Sequence, residues 1–143
     1  DMRENFLPIL EQAGVDLVLS GHSHMYERSY LMDCAYDSSD AFSAENIVSD
    51  GIEGKHKKFK KPLEPKAHQG AIYAIAGSSS KVDQGPIDHP AHYTGFLEAG
   101  SMVIDVVDNK LIARFINNKG QVRDEFSITK EAGYDSGYQG CLK

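Results

Sequence analysis

The chain has 143 residues, 41% hydrophobic and 25% charged, with a net charge of −6. That is enough for one domain with a real core, and no apolar run is long enough to cross a bilayer as a helix. The acidic balance argues against nonspecific nucleic-acid binding, which draws on Lys and Arg, so neither nucleic acid nor membrane is expected as a partner. A phosphate-bearing substrate remains open, because a bound metal reverses the local field. Cys34 and Cys141 are far apart. This is neither a zinc-ribbon spacing nor a dense disulfide framework, and pairing and free thiols are both open. Beginning at Asp1-Met2, the chain reads as a piece of a longer protein, with any targeting segment upstream.

Arg3 to Ala13 reads as a short helix with Phe6, Ile9, Leu10 and Ala13 on one face. Asn5 is its expected N-cap, placing Pro8 in the first turn, and Gly14 suits the left-handed position that closes a helix. Val15 to Leu19 follows as a strand buried on both faces, ended by Ser20-Gly21. A polar loop, Gly21-His22-Ser23-His24-Met25-Tyr26-Glu27-Arg28, leaves its C-terminal end, the end where ligands bind in open α/β sheets. Ser29 to Met32 is a candidate short strand. Residues 33–69 show no clear period and read as a long, partly irregular excursion.

The second half is β-rich. Ala71 to Ala76 is a strand leading into Gly77-Ser78-Ser79-Ser80, and a loop runs from Asp88 to Tyr93. Gly95 to Glu98, Ser101 to Val107, Leu111 to Ile116 and Val122 to Ile128 read as further strands. Asp108-Asn109-Lys110 and Asn117-Asn118-Lys119-Gly120 are the hairpin turns. Residues 71–128 are expected to form a mostly antiparallel sheet near Val15 to Leu19. The tail from Lys130 reads as loosely held.

The chemistry-bearing segment is Gly21-His22-Ser23-His24. Two histidines at i and i+2 on a loop past a strand can face one site if the loop turns between them, and neutral imidazole binds zinc, iron and related metals. By spacing alone the signal is weak, since loop histidines are commonly ordinary polar residues.

The whole segment Val15-Asp16-Leu17-Val18-Leu19-Ser20-Gly21-His22-Ser23-His24-Met25-Tyr26-Glu27-Arg28 closely resembles the last metal motif of calcineurin-like metallophosphoesterases of the purple-acid-phosphatase-like subgroup. Met2-Arg3 and Pro8, the loop Ala76 to Ser80 and the closing strands through Arg114-Phe115 and Val122-Arg123-Asp124 also fit. The resemblance covers most of the chain, residues 33–69 being least typical.

That resemblance implies an α/β fold, the C-terminal part of a two-sheet αββα sandwich, mainly β with one N-terminal helix, within a single domain at 1–143. It implies hydrolysis of phosphate esters by a longer parent, using two transition-metal ions (Fe, Zn or Mn) bridged by an Asp and a hydroxide. His22 would hold one ion and His24 the other, while Glu27 and Arg28 would support the loop, as an ion pair or otherwise. The remaining ligands belong to motifs that precede this segment in the family. The chain alone is therefore expected to be inactive, with no catalytic group assigned within it, and its missing N-terminal half is its expected partner. An apolar face left open by that half would favour self-association. A secreted or periplasmic location also follows from the resemblance alone. The alternative from another class is a noncatalytic binding or accessory β-rich domain.

Other candidates are weighed on residue type. His89 and His92, flanking Pro90-Ala91, are candidates for the substrate rim, against a solvated surface loop. His56 and His68 have no evident partner and are expected to be exposed. The Lys55–Lys61 cluster reads as a solvated mobile loop rather than an anion lure. Ser78-Ser79-Ser80 reads as a plain turn, and Tyr26 either as an aromatic packed under the metal loop or as an ordinary half-buried aromatic.

Overall fold

The computed structural model describes residues 2–141; Asp1, Leu142 and Lys143, and with them the ends of the expected 1–143 domain, lie outside the described residues. Helix α1 spans Met2–Gln12 and is followed by β1 Leu17–Ser20, β2 Tyr26–Ser29, β3 Leu31–Met32, β4 Ile47–Ser49, β5 Lys58–Pro62, β6 Ile72–Ala76, β7 His92–Phe96, β8 Gly100–Val107, β9 Lys110–Asn117 and β10 Val122–Glu131. This is an α/β chain, mainly β with one helix at its start.

The strands do not make one antiparallel sheet. One four-stranded sheet has the order β1-β6-β2-β7, with β1 parallel to β6 and the other pairs antiparallel. A second has the order β5-β10-β9-β8, with β5 parallel to β10. A small third sheet pairs β3 with β4. The two larger sheets pack face to face. Ile72 of the first meets Phe59, Ala113, Phe126 and Ile128 of the second in one buried cluster, joined by Leu31. Tyr26 stacks on Phe115 at 4.2 Å between ring centroids. Hairpin logic places β8 to β10 correctly, but periodicity cannot tell which sheet a strand joins.

Helix α1 lies on the outer side of the first sheet. It starts at Met2, one residue before the expected Arg3, so Asn5 lies within the helix rather than capping it and Pro8 sits inside it. The face turned inward is Leu7, Leu10 and Glu11, while Phe6 and Ile9 are exposed at 53% and 64%. Gly14 closes the helix as expected. Its φ is 78°, the Val15 N–H donates to the Leu10 carbonyl, and the Gly14 N–H donates to that of Glu11.

Strand β1 is not buried on both faces. Leu17 and Val18 are half-buried, and Leu19 is 50% exposed, because β1 is an edge strand of its sheet. The excursion at 33–69 is more ordered than its sequence suggests. It holds three single-turn 3-10 segments, β4 and β5. The lysine cluster is not a mobile loop over its second half. Phe59 and Lys61 of β5 point inward, and the Lys61 Nζ reaches Asp16 Oδ1 at 2.7 Å and the Val15 carbonyl at 3.2 Å. The period-two signal was hidden because a buried lysine reads as a solvated one until its acid is known. The tail is not loose: Cys141 forms a disulfide with Cys34, and the Tyr138 hydroxyl donates to Asp33 Oδ2 at 3.2 Å.

Candidate metal loop

The loop Gly21 to Met25 leaves the C-terminal end of β1 beside the C-terminal end of β6, its parallel neighbour. The expected loop is shorter than it looks in sequence, because residues 26–29 form the buried strand β2. Gly77, just past β6, lets the two chains touch: a Cβ there would collide with the Ser23 carbonyl oxygen. The Gly77 N–H donates to the Met25 carbonyl at 3.2 Å. The loop is thus laid directly on the Gly-Ser turn that the sequence suggested as a plain turn, where Ser78 is buried with its hydroxyl donating to the Glu98 carbonyl at 2.8 Å.

His22 is exposed and has φ 76°, a left-handed conformation that costs a non-glycine residue about 1–2 kcal/mol. Such outliers persist where surrounding structure imposes them and cluster at functional sites. His24 is half-buried. Its Nδ1 lies 3.0 Å from Asp83 Oδ1, and its backbone N–H donates to Asp83 Oδ2 at 2.9 Å. The Asp83 N–H donates back to the His24 carbonyl at 2.9 Å. These bonds from the His24 backbone and ring hold the Asp83 carboxyl below its usual value. Asp83 is a residue that sequence reasoning missed. It lies 59 positions from His24 in a loop with no pattern of its own.

Glu27 and Arg28 are not paired with each other. Neighbours on a strand point to opposite faces. Arg28 faces the inter-sheet core and makes a two-pronged bond to Asp124, Nε to Oδ2 at 2.7 Å and Nη2 to Oδ1 at 3.1 Å. The Tyr26 hydroxyl donates to the same Asp124 Oδ2 at 2.6 Å. Tyr26 is fully buried, and burial and the Asp124 charge push its hydroxyl far above the usual range. This triad pins the strand that carries the loop onto the second sheet.

Glu27 faces outward toward His89 and His92. His92 Nδ1 lies 3.1 Å from Glu27 Oε2 without the alignment of a hydrogen bond. Burial pushes Glu27 up and His92 down. His89 is lowered by burial and by His92, whose ring lies 4.9 Å away. His92 is in β7, not in a loop. Together with Arg3, Ser23, Met25, Ser38 and Ser39 these residues line a cleft on the side of the loop that carries Ser23 and Met25; neither His22 nor His24 lines it. His56 and His68, expected to be exposed, are half-buried. His56 stacks on Tyr93 at 4.4 Å, and His68 Nδ1 lies 2.9 Å from Asp33 Oδ1.

Among the described residues, three or more potential metal donors come within 4.8 Å of one another elsewhere, at Glu11, Asp33, Cys34 and His68. Their atoms are already committed. Glu11 accepts from the Tyr36 and Tyr73 hydroxyls and the Cys34 N–H; Asp33 bonds His68 and Tyr138; Cys34 is in the disulfide. The His22-His24 loop differs in that it leaves donor atoms open. With Nδ1 held by Asp83, His24 has Nε2 free, and His22 stands in solvent. Each imidazole therefore keeps a nitrogen open to a cation, without the charge-neutralising carboxylates that two close cations need.

No protein-family model matches the sequence, and a search of curated proteins finds no match. Comparison with solved structures finds a purple acid phosphatase isolated from yellow lupin (Lupinus luteus) seeds, with a TM-score of 0.64 and 18% sequence identity over 92% of this chain. The chain spans 20% of the length of the lupin chain. The purple-acid-phosphatase-like resemblance expected from the Gly-His-Ser-His segment is thus matched by the fold.

Proposed function

We propose that this chain is the C-terminal part of the catalytic domain of a metal-dependent phosphoesterase, with His22 and His24 each serving one of two transition-metal ions (Fe, Zn or Mn). The observation that carries this reading is the Gly-His-Ser-His loop at the ligand-binding end of two parallel strands, with imidazole donors open, in a fold shared with a purple acid phosphatase. Two such ions supply Lewis-acid activation of a phosphate ester and an activated water as nucleophile. This chain's own residues supply position. Gly77 seats the loop, the Tyr26–Asp124–Arg28 triad anchors the strand after it, and His89 and His92 line the cleft on the Ser23–Met25 side of the loop, an outer rim for substrate away from His22 and His24.

The remaining ligands are proposed to come from a preceding segment that adds to the open edge of β1. The exposure of Leu19 in this edge strand supports this, since an unpaired parallel edge is a template for another strand. The Cys34–Cys141 disulfide supports an oxidising compartment, secreted or periplasmic. Among the described residues no helix is long and apolar enough to cross a membrane.

The test measures hydrolysis of an aryl phosphate with added zinc, manganese or iron. It compares this chain with a longer form carrying the preceding segment, and with that form bearing His22→Ala or His24→Ala. The expected result is no turnover by the chain, turnover by the longer form, and loss of at least a hundredfold with either substitution. Metal-dependent turnover by the pure chain would refute the ligand count. Full activity with both histidines replaced would refute the metal assignment.

A further inference from the structure

We infer that Asp83 is the positioning residue that selects Nε2 of His24 as its ligand atom, an inference that rests on the metal reading of His24. The argument is one of donors and acceptors. A carboxylate accepts hydrogen bonds, and both oxygens of Asp83 face nitrogens of His24. Its Oδ1 lies 3.0 Å from His24 Nδ1, so the ring proton must sit on Nδ1. A neutral imidazole with the proton on Nδ1 keeps its lone pair on Nε2. The ring is thereby locked in tautomer and in direction before any cation arrives.

The contact is built rather than incidental. Asp83 uses both oxygens on one residue, taking the His24 backbone N–H at 2.9 Å with Oδ2, while its own N–H returns to the His24 carbonyl at 2.9 Å. Three bonds between two residues fix the ring plane relative to the loop backbone. A carboxylate behind a ligating imidazole also raises its basicity, and loss of such partners typically lowers metal affinity about 10–100-fold. His22 stands exposed with its backbone strained instead, so within the pair His24 is the ligand whose orientation is set by a side chain.

The test uses this chain and zinc ion alone as the probe. Long-range nitrogen–proton spectra of the imidazole are recorded for the wild type, Asp83→Asn and Asp83→Ala, at a pH where the ring is neutral. Zinc affinity is measured by calorimetry for the same proteins and His24→Ala. Wild type is expected to carry its proton on Nδ1. Asp83→Asn, which can donate to Nδ1, is expected to move the proton to Nε2, and both Asp83 variants to weaken zinc at least tenfold. Amide shifts of β6 and β10 report whether each variant keeps the fold, and Asp83→Asn retains a carbonyl oxygen for the His24 N–H. An Nε2–H ring in the wild type, or a tautomer unchanged in Asp83→Asn, overturns the inference. So does zinc affinity that falls with His24→Ala but not with either Asp83 variant. Zinc affinity unchanged by His24→Ala would instead defeat the metal reading, while the tautomer result would still stand or fall separately.

Discussion

The Glu11–Asp33–His68 cluster and the His22–His24 loop both contain metal-ligating residue types, and they have opposite designs. The Glu11–Asp33–His68 cluster is buried, cross-linked by Cys34–Cys141 and internally satisfied, with three tyrosine hydroxyls closing its remaining acceptor positions. The His22–His24 loop sits at the open end of the sheet with one ring oriented and donor atoms still free. Proximity of ligands is therefore a poor criterion for a site by itself. What distinguishes the loop is unspent lone pairs, and what distinguishes the cluster is that removing any member strands the others.

That contrast breaks most visibly at the disulfide. Replacing Cys34 and Cys141 by Ser removes a link across 107 positions, and is expected to lower stability by about 4 kcal/mol, since long loops lose the most chain entropy when closed. Urea midpoints measure the loss, and the His24–Asp83 contact should survive it in the folded fraction. Equal disruption of both regions would show that they are not independent.

Glu11→Ala is expected to cost about 3 kcal/mol, because it leaves the Tyr36 and Tyr73 hydroxyls and the Cys34 N–H without their acceptor. Glu11→Gln tests the charge alone. Burial and the neighbouring Asp33 carboxyl raise Glu11 above its ordinary value of 4.5. Above 4.5, and up to its folded value, the folded state therefore holds more of this proton than the unfolded state. The stability it contributes is complete below 4.5 and is lost as pH rises through that window. Glu11→Gln should flatten this decline in urea midpoints taken from pH 4 upward; an unchanged slope would remove Glu11 as its source.

Gly77→Ala sharpens the other side of the comparison. The added methyl must displace the Ser23 carbonyl, at a cost of about 2 kcal/mol by analogy with overpacking. It should also disturb the His24 ring signals while leaving His68 unaffected. The smallest effect is expected at His22. Its left-handed φ means that His22→Gly relieves strain but adds freedom to the unfolded chain, for a net gain of about 0.5 kcal/mol. A gain in thermal midpoint together with weaker zinc binding would mark His22 as held for function at the expense of stability.

Much of this was legible in the chain. Gly14 announced the helix end because only glycine adopts φ 78° there without strain. The Asp108–Lys110 and Asn117–Gly120 turns announced β8 to β10, and Gly-His-Ser-His after an apolar run announced the loop. These are local signals, set by backbone sterics and by a period of two. The helix cap was misplaced, since Asn5 offers a cap that the fold does not use and Pro8 is tolerated inside the helix.

What tertiary structure alone decided are partnerships between distant residues. Arg28 found Asp124 rather than Glu27 because the strand turns neighbours to opposite faces. Lys61 became a core residue because Asp16 arrives to neutralise it, and the two cysteines were brought together by the return of the tail. His24 was readable as a candidate ligand from its neighbours in sequence. The aspartate that aims it was not, because a hydrogen bond across 59 positions leaves no trace in either segment until the sheet folds them together.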